Sequence, residues 1–232
     1  GYLDFIAESR AALKVSDLAL IVVHATHGIE IGTSKVWDYA EEFGLAKAVV
    51  VNGIDAENAQ YQPILEELKA TFGKRFFPVN IPANPGPGFN ETLDVIRKSK
   101  LTYKTDGSGK YDEAKVSGDE EEQVERLHAQ LIELVAESDD TLLEKFFDEG
   151  ITEEELRGGL HKAFQSQIFI PVFFTSSETN VGVARLMDFI SKYASSPDDH
   201  KETIAKNGDG EEVTVSLDDN EAAAFVFKTI NE

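Results

Sequence analysis

The sequence of 232 residues contains no cysteine, which excludes disulfide bonds and thiolate metal ligands. No apolar run approaches the roughly 18 residues that a membrane-spanning helix needs, so no membrane contact is expected. Residues 1–5 carry neither the basic nor the apolar segment of a secretory signal peptide. Together these absences predict a cytoplasmic protein.

Basic residues are also scarce, with 22 Lys and Arg against 43 Asp and Glu and a net charge of −21. A protein that binds nucleic acid through its own surface needs a basic footprint, so direct DNA binding is not expected. A partner that meets this surface would be a protein or a basic patch on a larger particle. Solubility alone explains the charge equally well.

Strand and helix patterns alternate along most of the chain. Because this alternation is typical of parallel sheets with crossover helices, it predicts an α/β fold with a mostly parallel sheet. Strands are predicted over 18–24, 48–52, 76–81 and 168–176, and helices over 33–43, 61–72 and 183–193.

The segment 83–164 breaks this pattern and is predicted to be an α+β insertion. Its second half contains an acidic run that leads into a helix, and a capping box, Thr152 to Glu155, that opens another. Near the end of the chain, 222–229 is predicted to be the strand that starts a new element. The predicted division is therefore 1–82 and 165–197 for the main domain, 83–164 for the insertion, and 198–232 for a linker and the start of a second domain.

Two short motifs follow predicted buried strands. Asn52-Gly53-Ile54-Asp55 resembles the Asn-Lys-x-Asp motif of guanine-nucleotide proteins. The Asp of that motif accepts two hydrogen bonds, from the ring N–H and the exocyclic amino group of guanine, a pattern that adenine lacks. Ser176 and Ser177, which end a later strand, could present backbone N–H groups at the same edge of the sheet. Taken singly, an Asn-Gly pair more often marks a turn, and Ser or Thr more often caps a helix.

His24 and His27 share a loop after a strand and could suggest a metal site. Zinc sites need at least three protein ligands, and no third ligand of the right type is close in the sequence. No metal site is predicted there.

The order of short motifs along the whole chain resembles elongation factor G. Residues 1–5 look like the stretch that follows Asp-Thr-Pro in the switch II motif of that family. Further matches in the family's order and spacing include Val36-Trp37, Pro171-Val172, Asn180 to Val183 and Ala224 to Thr229. The resemblance implies a P-loop GTPase-type G domain that lacks its N-terminal strands and P-loop, a G′ insertion, and the first strand of a β-barrel domain.

The resemblance also implies roles for individual residues. Gly1 would donate its backbone N–H to the γ-phosphate, Asn52 and Asp55 would hold guanine, and Ser176 and Ser177 would close over its carbonyl edge. Tyr2 stands where the family has its catalytic His. GTP or GDP would be the ligand, with Mg²⁺ bound in the intact parent protein through residues that precede Gly1.

The implied function of the intact parent is GTP hydrolysis on the ribosome, coupled to translocation of tRNA and mRNA, with the stalk protein meeting the G′ region. Two departures qualify this function: Tyr2 replaces the His, and Gly53 replaces a Lys in the guanine motif. Losing a positioned general base lowers rates by about 10²–10⁴. The alternatives are a ribosome-binding factor that binds GTP but hydrolyses it slowly or not at all, and another translational GTPase. The chain alone is expected to be inactive and to expose a sheet edge.

Overall fold

The structure is a computed structural model that describes residues 3–73, 75–148, 150–199, 201–219 and 222–229. Short 3₁₀ helices lie at Leu3–Phe5 and Pro197–Asp199. The α-helices are α1 Ile6–Leu13, α2 Ile31–Glu42, α3 Tyr61–Phe72, α4 Asp119–Ala136, α5 Asp140–Asp148, α6 Glu153–Gln165 and α7 Val183–Tyr193. The strands are β1 Leu18–His24, β2 Ala46–Asn52, β3 Phe76–Pro78, β4 Asn80–Pro82, β5 Glu91–Asp94, β6 Ser99–Tyr103, β7 Tyr111–Lys115, β8 Ile170–Thr175, β9 Glu202–Lys206 and β10 Glu212–Ser216.

The main sheet has the order β1-β2-β8-β3, and every pairing in it is parallel. This confirms the predicted α/β fold. Its middle strands β2 and β8 are buried almost throughout, as expected for parallel strands covered by helices on both faces. The edge strand β1 differs, because Leu20 and Val22 are 42% and 62% exposed. The described chain therefore presents an open, partly apolar sheet edge.

Side chains along β2 alternate between two core clusters, one on each face of the main sheet. Val49 and Val51 pack with Trp37 of α2 and Leu68 of α3. Ala48 and Val50 belong to the cluster on the opposite face, which contains Leu131 of α4, Leu160 of α6, and Leu186 and Phe189 of α7. Because successive side chains of a strand point to opposite faces, the middle of the main sheet is covered on both sides, while one face of β1 stays exposed.

A second sheet, antiparallel and in the order β4-β5-β6-β7, follows the main one. The single strand predicted over 76–81 is wrong, because the chain changes sheets at Val79. The Val79 N–H donates to Val172 of β8 at 3.0 Å, and its carbonyl accepts from Val95 at 2.9 Å. A mostly apolar segment, interrupted by Asn80, thus supplies two strands that lie in different sheets.

The capping box predicted at Thr152 is confirmed. The Glu155 N–H donates to Thr152 Oγ1 at 3.3 Å, and the Thr152 N–H donates to Glu155 Oε2 at 3.0 Å. The Glu155 carboxylate also accepts from Lys145 Nζ. The bond from Lys145, and then those from Thr152, lower the pKa of Glu155 from its ordinary 4.5 to about 2.

This lowered pKa predicts a pH dependence of stability. A carboxylate with a depressed folded-state pKa stabilises the fold above its ordinary pKa, and the stabilisation is lost as pH falls from about 4.5 to about 2. Glu155→Gln is expected to reduce the change in the free energy of unfolding between about pH 4.5 and about pH 2. Urea unfolding at several pH values measures this change. The control is Glu154→Gln, an exposed neighbour in the same helical turn. An equal reduction by the two variants would contradict the assignment.

The last described residues differ from the sequence prediction. The turn predicted at Asn207 to Gly210 connects β9 and β10, an antiparallel hairpin that the polar composition did not reveal. The strand predicted over 222–229 is not formed, since these residues have no regular secondary structure. Phe225, Val226 and Phe227 are exposed there. A strand needs a neighbour to satisfy its backbone groups, and the described chain supplies none for this segment.

The described helices include none with the length and apolar character required to cross a membrane.

Candidate nucleotide-binding site

The ends of three strands bring the sequence-predicted site residues together. His24 of β1 is in register with Asn52 of β2, and Asn52 is in register with Thr175 of β8. Because the strands are parallel, their carboxyl ends meet at one edge of the sheet. Crevices at this edge are the usual ligand sites of open α/β sheets.

Asn52 joins the loops that follow β2 and β8. Its Oδ1 accepts from Thr175 Oγ1 at 3.1 Å and from the Ser177 N–H at 2.8 Å. Its Nδ2 donates to Ser177 Oγ at 2.9 Å. The side chain therefore uses both its acceptor and its donor to hold together loops that are far apart in the sequence.

The backbone after Asn52 is fixed by the same neighbouring strand. The Gly53 and Ile54 N–H groups both donate to the Thr175 carbonyl, at 3.0 and 3.1 Å, and the Ile54 side chain is fully buried. These contacts leave Asp55 half-buried at the edge of the sheet. Within the described residues, no hydrogen bond or ion pair engages its carboxylate. Asp55 is thus a positioned acceptor that has no partner in the described part of the chain.

The two predicted serines occupy different environments. Ser176 is fully buried, its N–H and carbonyl pair with Val181 at 3.0 Å, and its Oγ accepts from the Thr179 N–H at 3.2 Å. Ser177 is exposed, but its N–H donates to Asn52. In this structure Ser176 shapes the loop, and only Ser177 reaches the surface of the site.

The structure adds His24 to the site, a residue that the sequence had suggested only for a metal. The Thr26 N–H donates to His24 Nδ1 at 3.2 Å, so the neutral ring carries its proton on Nε2. A Cβ built on Gly53 would lie 3.1 Å from that Nε2. The His24 and His27 rings are 4.5 Å apart, and the described residues contain no group of three or more potential metal ligands. Nothing in the sequence alone placed His24 against Gly53.

Gly53 has a φ of +84°, a conformation that side chains disfavour. Gly53→Ala is therefore expected to destabilise the fold by about 1–2 kcal/mol, because it adds backbone strain and crowds His24. Gly44→Ala is a matched control, since Gly44 has a φ of +63° but has no atom within 4 Å of an added Cβ. Chemical denaturation should show a larger loss for Gly53→Ala, and His24→Ala should relieve the difference. Equal losses without that relief would contradict the contact.

Gly1 and Tyr2, the predicted phosphate and catalytic positions, lie outside the described residues. Their predicted roles stay predictions.

The parallel sheet and the two loops that Asn52 connects define a P-loop GTPase-type domain. A family model described as the elongation factor Tu GTP binding domain matches residues 1–196, and the chain belongs to this family. The crystal structure of a protein from Thermus thermophilus is similar, with 33% identity and a TM-score of 0.79. The similarity covers 89% of this chain but 31% of that one. Both findings support the resemblance to an elongation-factor-G-like translational GTPase.

Proposed function

We propose that the edge formed by β1, β2 and β8 binds the base of a guanine nucleotide. The observation that carries this proposal is the Asn52 bridge, which fixes both loops, while the Asp55 carboxylate has no hydrogen bond or ion pair with any described residue. That carboxylate would accept from the ring N–H and the exocyclic amino group of guanine, and it would repel the acceptor nitrogen of adenine.

Further contacts with the nucleotide are proposed on the same basis and on the family resemblance. The Ser177 N–H would donate to the guanine carbonyl oxygen, which requires Asn52 Oδ1 to release it. The buried Ser176 would hold the loop in place for this contact. Gly1 would donate to the γ-phosphate of GTP, the group whose hydrolysis is the reaction. Mg²⁺, when bound, neutralises charge on the phosphates. The described residues offer it no cluster of ligands.

For the whole protein we propose GTP-dependent action on the ribosome, with translocation of tRNA and mRNA. Family membership supports this proposal, together with the resemblance of the entire chain to elongation factor G. We further propose that 1–82 and 165–197 form the G domain, 83–164 the G′ insertion and 198–232 the passage to the next domain. The acidic first turn of α4, Asp119 to Glu122, would then lie in the region that meets the ribosomal stalk protein. Such a factor would work in the cytoplasm.

A second candidate is a ribosome-binding factor that binds GTP and hydrolyses it slowly or not at all. Tyr2 favours it, because a phenol cannot exchange a proton near pH 7 as an imidazole does. Steady-state GTP hydrolysis by the whole protein, with and without ribosomes, separates the two functions. Strong stimulation by ribosomes supports the translocating GTPase. Absence of stimulation despite GTP binding supports the second candidate.

Tyr2→His is expected to raise ribosome-stimulated hydrolysis by about 10²-fold or more if the phenol limits the rate. The control is Tyr39→His, a change of the same kind on α2, away from the strand ends. A rate that is unchanged by Tyr2→His would show that another group positions the attacking water.

A further inference from the structure

A cavity of about 390 Å³ lies between the second sheet, α6 and α7, on elements that do not contribute to the nucleotide site. This volume falls in the range of small-molecule pockets. Its walls carry four cationic side chains, one carboxylate and one phenol, namely Arg97, Arg157, Arg185, Lys192, Glu153 and Tyr193. Such a concentration of positive charge is unexpected in a chain with a net charge of −21.

Arg185 lines this cavity and is almost completely buried, at 2% exposure. Its Nε donates to Asp94 Oδ2, while its Nη1 has no hydrogen-bond partner among the described residues. A guanidinium has five N–H donors, so one carboxylate leaves most of them without an acceptor. Buried polar groups normally have a hydrogen-bond partner, so the unpaired Nη1 is an exception.

The rim of the cavity is also cationic. Arg157 and Lys192 are exposed, and within the described residues neither forms a hydrogen bond or an ion pair. Arg97 differs, because it pairs with Asp188 at 2.8 Å and with Glu113 at 3.6 Å. The cations available to a ligand at the rim are therefore Arg157 and Lys192.

The cationic side chains of the cavity affect the pKa of Tyr193, the phenol in its wall. Burial raises the pKa of Tyr193, and the positive charges of Arg185, Arg157 and Arg97 oppose that rise. All four cations line this one cavity, so a single ligand bound in it can meet more than one of them. Tyr193 itself can donate a hydrogen bond from its hydroxyl group.

We propose that this cavity is a binding site for a compact, doubly charged oxyanion, namely a phosphate group that is free or part of a small phosphate ester. Arg157 and Lys192 hold it at the rim, and Arg185, which also lines the cavity, adds a third positive charge. Arginine matches phosphate oxygens with paired N–H donors, and lysine adds a mobile point charge. A singly charged carboxylate would leave part of the cationic rim uncompensated.

Isothermal titration of the whole protein with inorganic phosphate, at constant ionic strength, tests this site. Arg157→Gln with Lys192→Gln should weaken phosphate binding at least about 100-fold, since it removes two charge-assisted hydrogen bonds that each contribute about 10-fold or more. The matched control is Arg126→Gln with Lys35→Gln, which removes the same two charges from positions outside the cavity. Acetate should bind at least about 10-fold more weakly than phosphate, as expected from charge-assisted pairing.

Several results would overturn the proposal: no saturable phosphate binding, equal weakening by both double variants, or equal affinity for acetate. Binding that persists in Arg157→Gln with Lys192→Gln would place the phosphate elsewhere, the nucleotide site included. Titration with a small phosphate ester distinguishes the two sources. Tighter binding than free phosphate assigns an ester, and weaker binding assigns the free ion.

Discussion

Asp94→Ala is expected to destabilise the fold by about 3–5 kcal/mol, because it leaves the guanidinium of Arg185 buried without its carboxylate. Asp94 is fully buried, its Oδ2 accepts from Arg185 Nε, and its Oδ1 accepts from the backbone N–H of Arg97 at 2.9 Å. The pair connects β5 of the second sheet to α7, which packs on the main sheet. Urea unfolding of the variant and the unaltered chain measures the loss.

Two further variants separate the buried pair from ordinary surface charge. Asp188→Ala removes the partly exposed partner of Arg97, so its loss should stay below about 1 kcal/mol. Asp94→Ala combined with Arg185→Leu removes both charges and should recover much of the stability lost by Asp94→Ala. A loss for Asp94→Ala no larger than that for Asp188→Ala would contradict the role assigned to the pair.

Asp55→Asn is expected to lower the affinity of the whole protein for GDP by about 10²–10⁴-fold. The carboxylate would accept two hydrogen bonds from guanine, each contributing about 1.5–3 kcal/mol. An amide in its place presents a donor toward a donor of the base. Competition against a fluorescent guanine nucleotide measures the change, with Asp38→Asn, an exposed residue on α2, as the control.

The chemistry of Asp55→Asn also predicts a change of base preference, from guanine to xanthine. Xanthine carries a carbonyl oxygen where guanine has its exocyclic amino group, so an amide donor matches it. Asp55→Asn should therefore bind xanthosine diphosphate more tightly than GDP. Equal weakening for both nucleotides would indicate that the variant disturbs the loop instead of the base contact.

The parallel strands and the long helices were predictable because their sequence signals are local. β1, α3 and α7 have the bounds that the sequence predicts, since buried apolar runs and helical spacing mark them directly. The change of sheet at Val79 is not local. Asn80, fully buried, accepts from the Phe174 N–H at 2.9 Å and donates to the Phe174 carbonyl at 3.0 Å. Its side chain continues the pairing with β8 while its backbone belongs to the other sheet, and no sequence period reveals this arrangement.

The candidate site was also only partly predictable from the sequence. The sequence placed Asn52, Asp55 and Ser177 at strand ends, and the parallel sheet brings those ends together. It did not distinguish the buried Ser176 from the exposed Ser177, because that difference depends on the bridge to Val181. The contact of His24 with Gly53 also depends on the pairing of β1 with β2. Contacts of this kind require the folded structure.

The proposed guanine-nucleotide site requires Asp55 and Asn52 to form the edge that recognises the base. The most direct test is a competition experiment in which GDP and ADP displace a fluorescent guanine nucleotide from the whole protein. Two bonds to guanine that adenine cannot form predict that GDP displaces the probe at least about 100-fold better than ADP. Displacement by GDP and ADP at similar concentrations would contradict the claim.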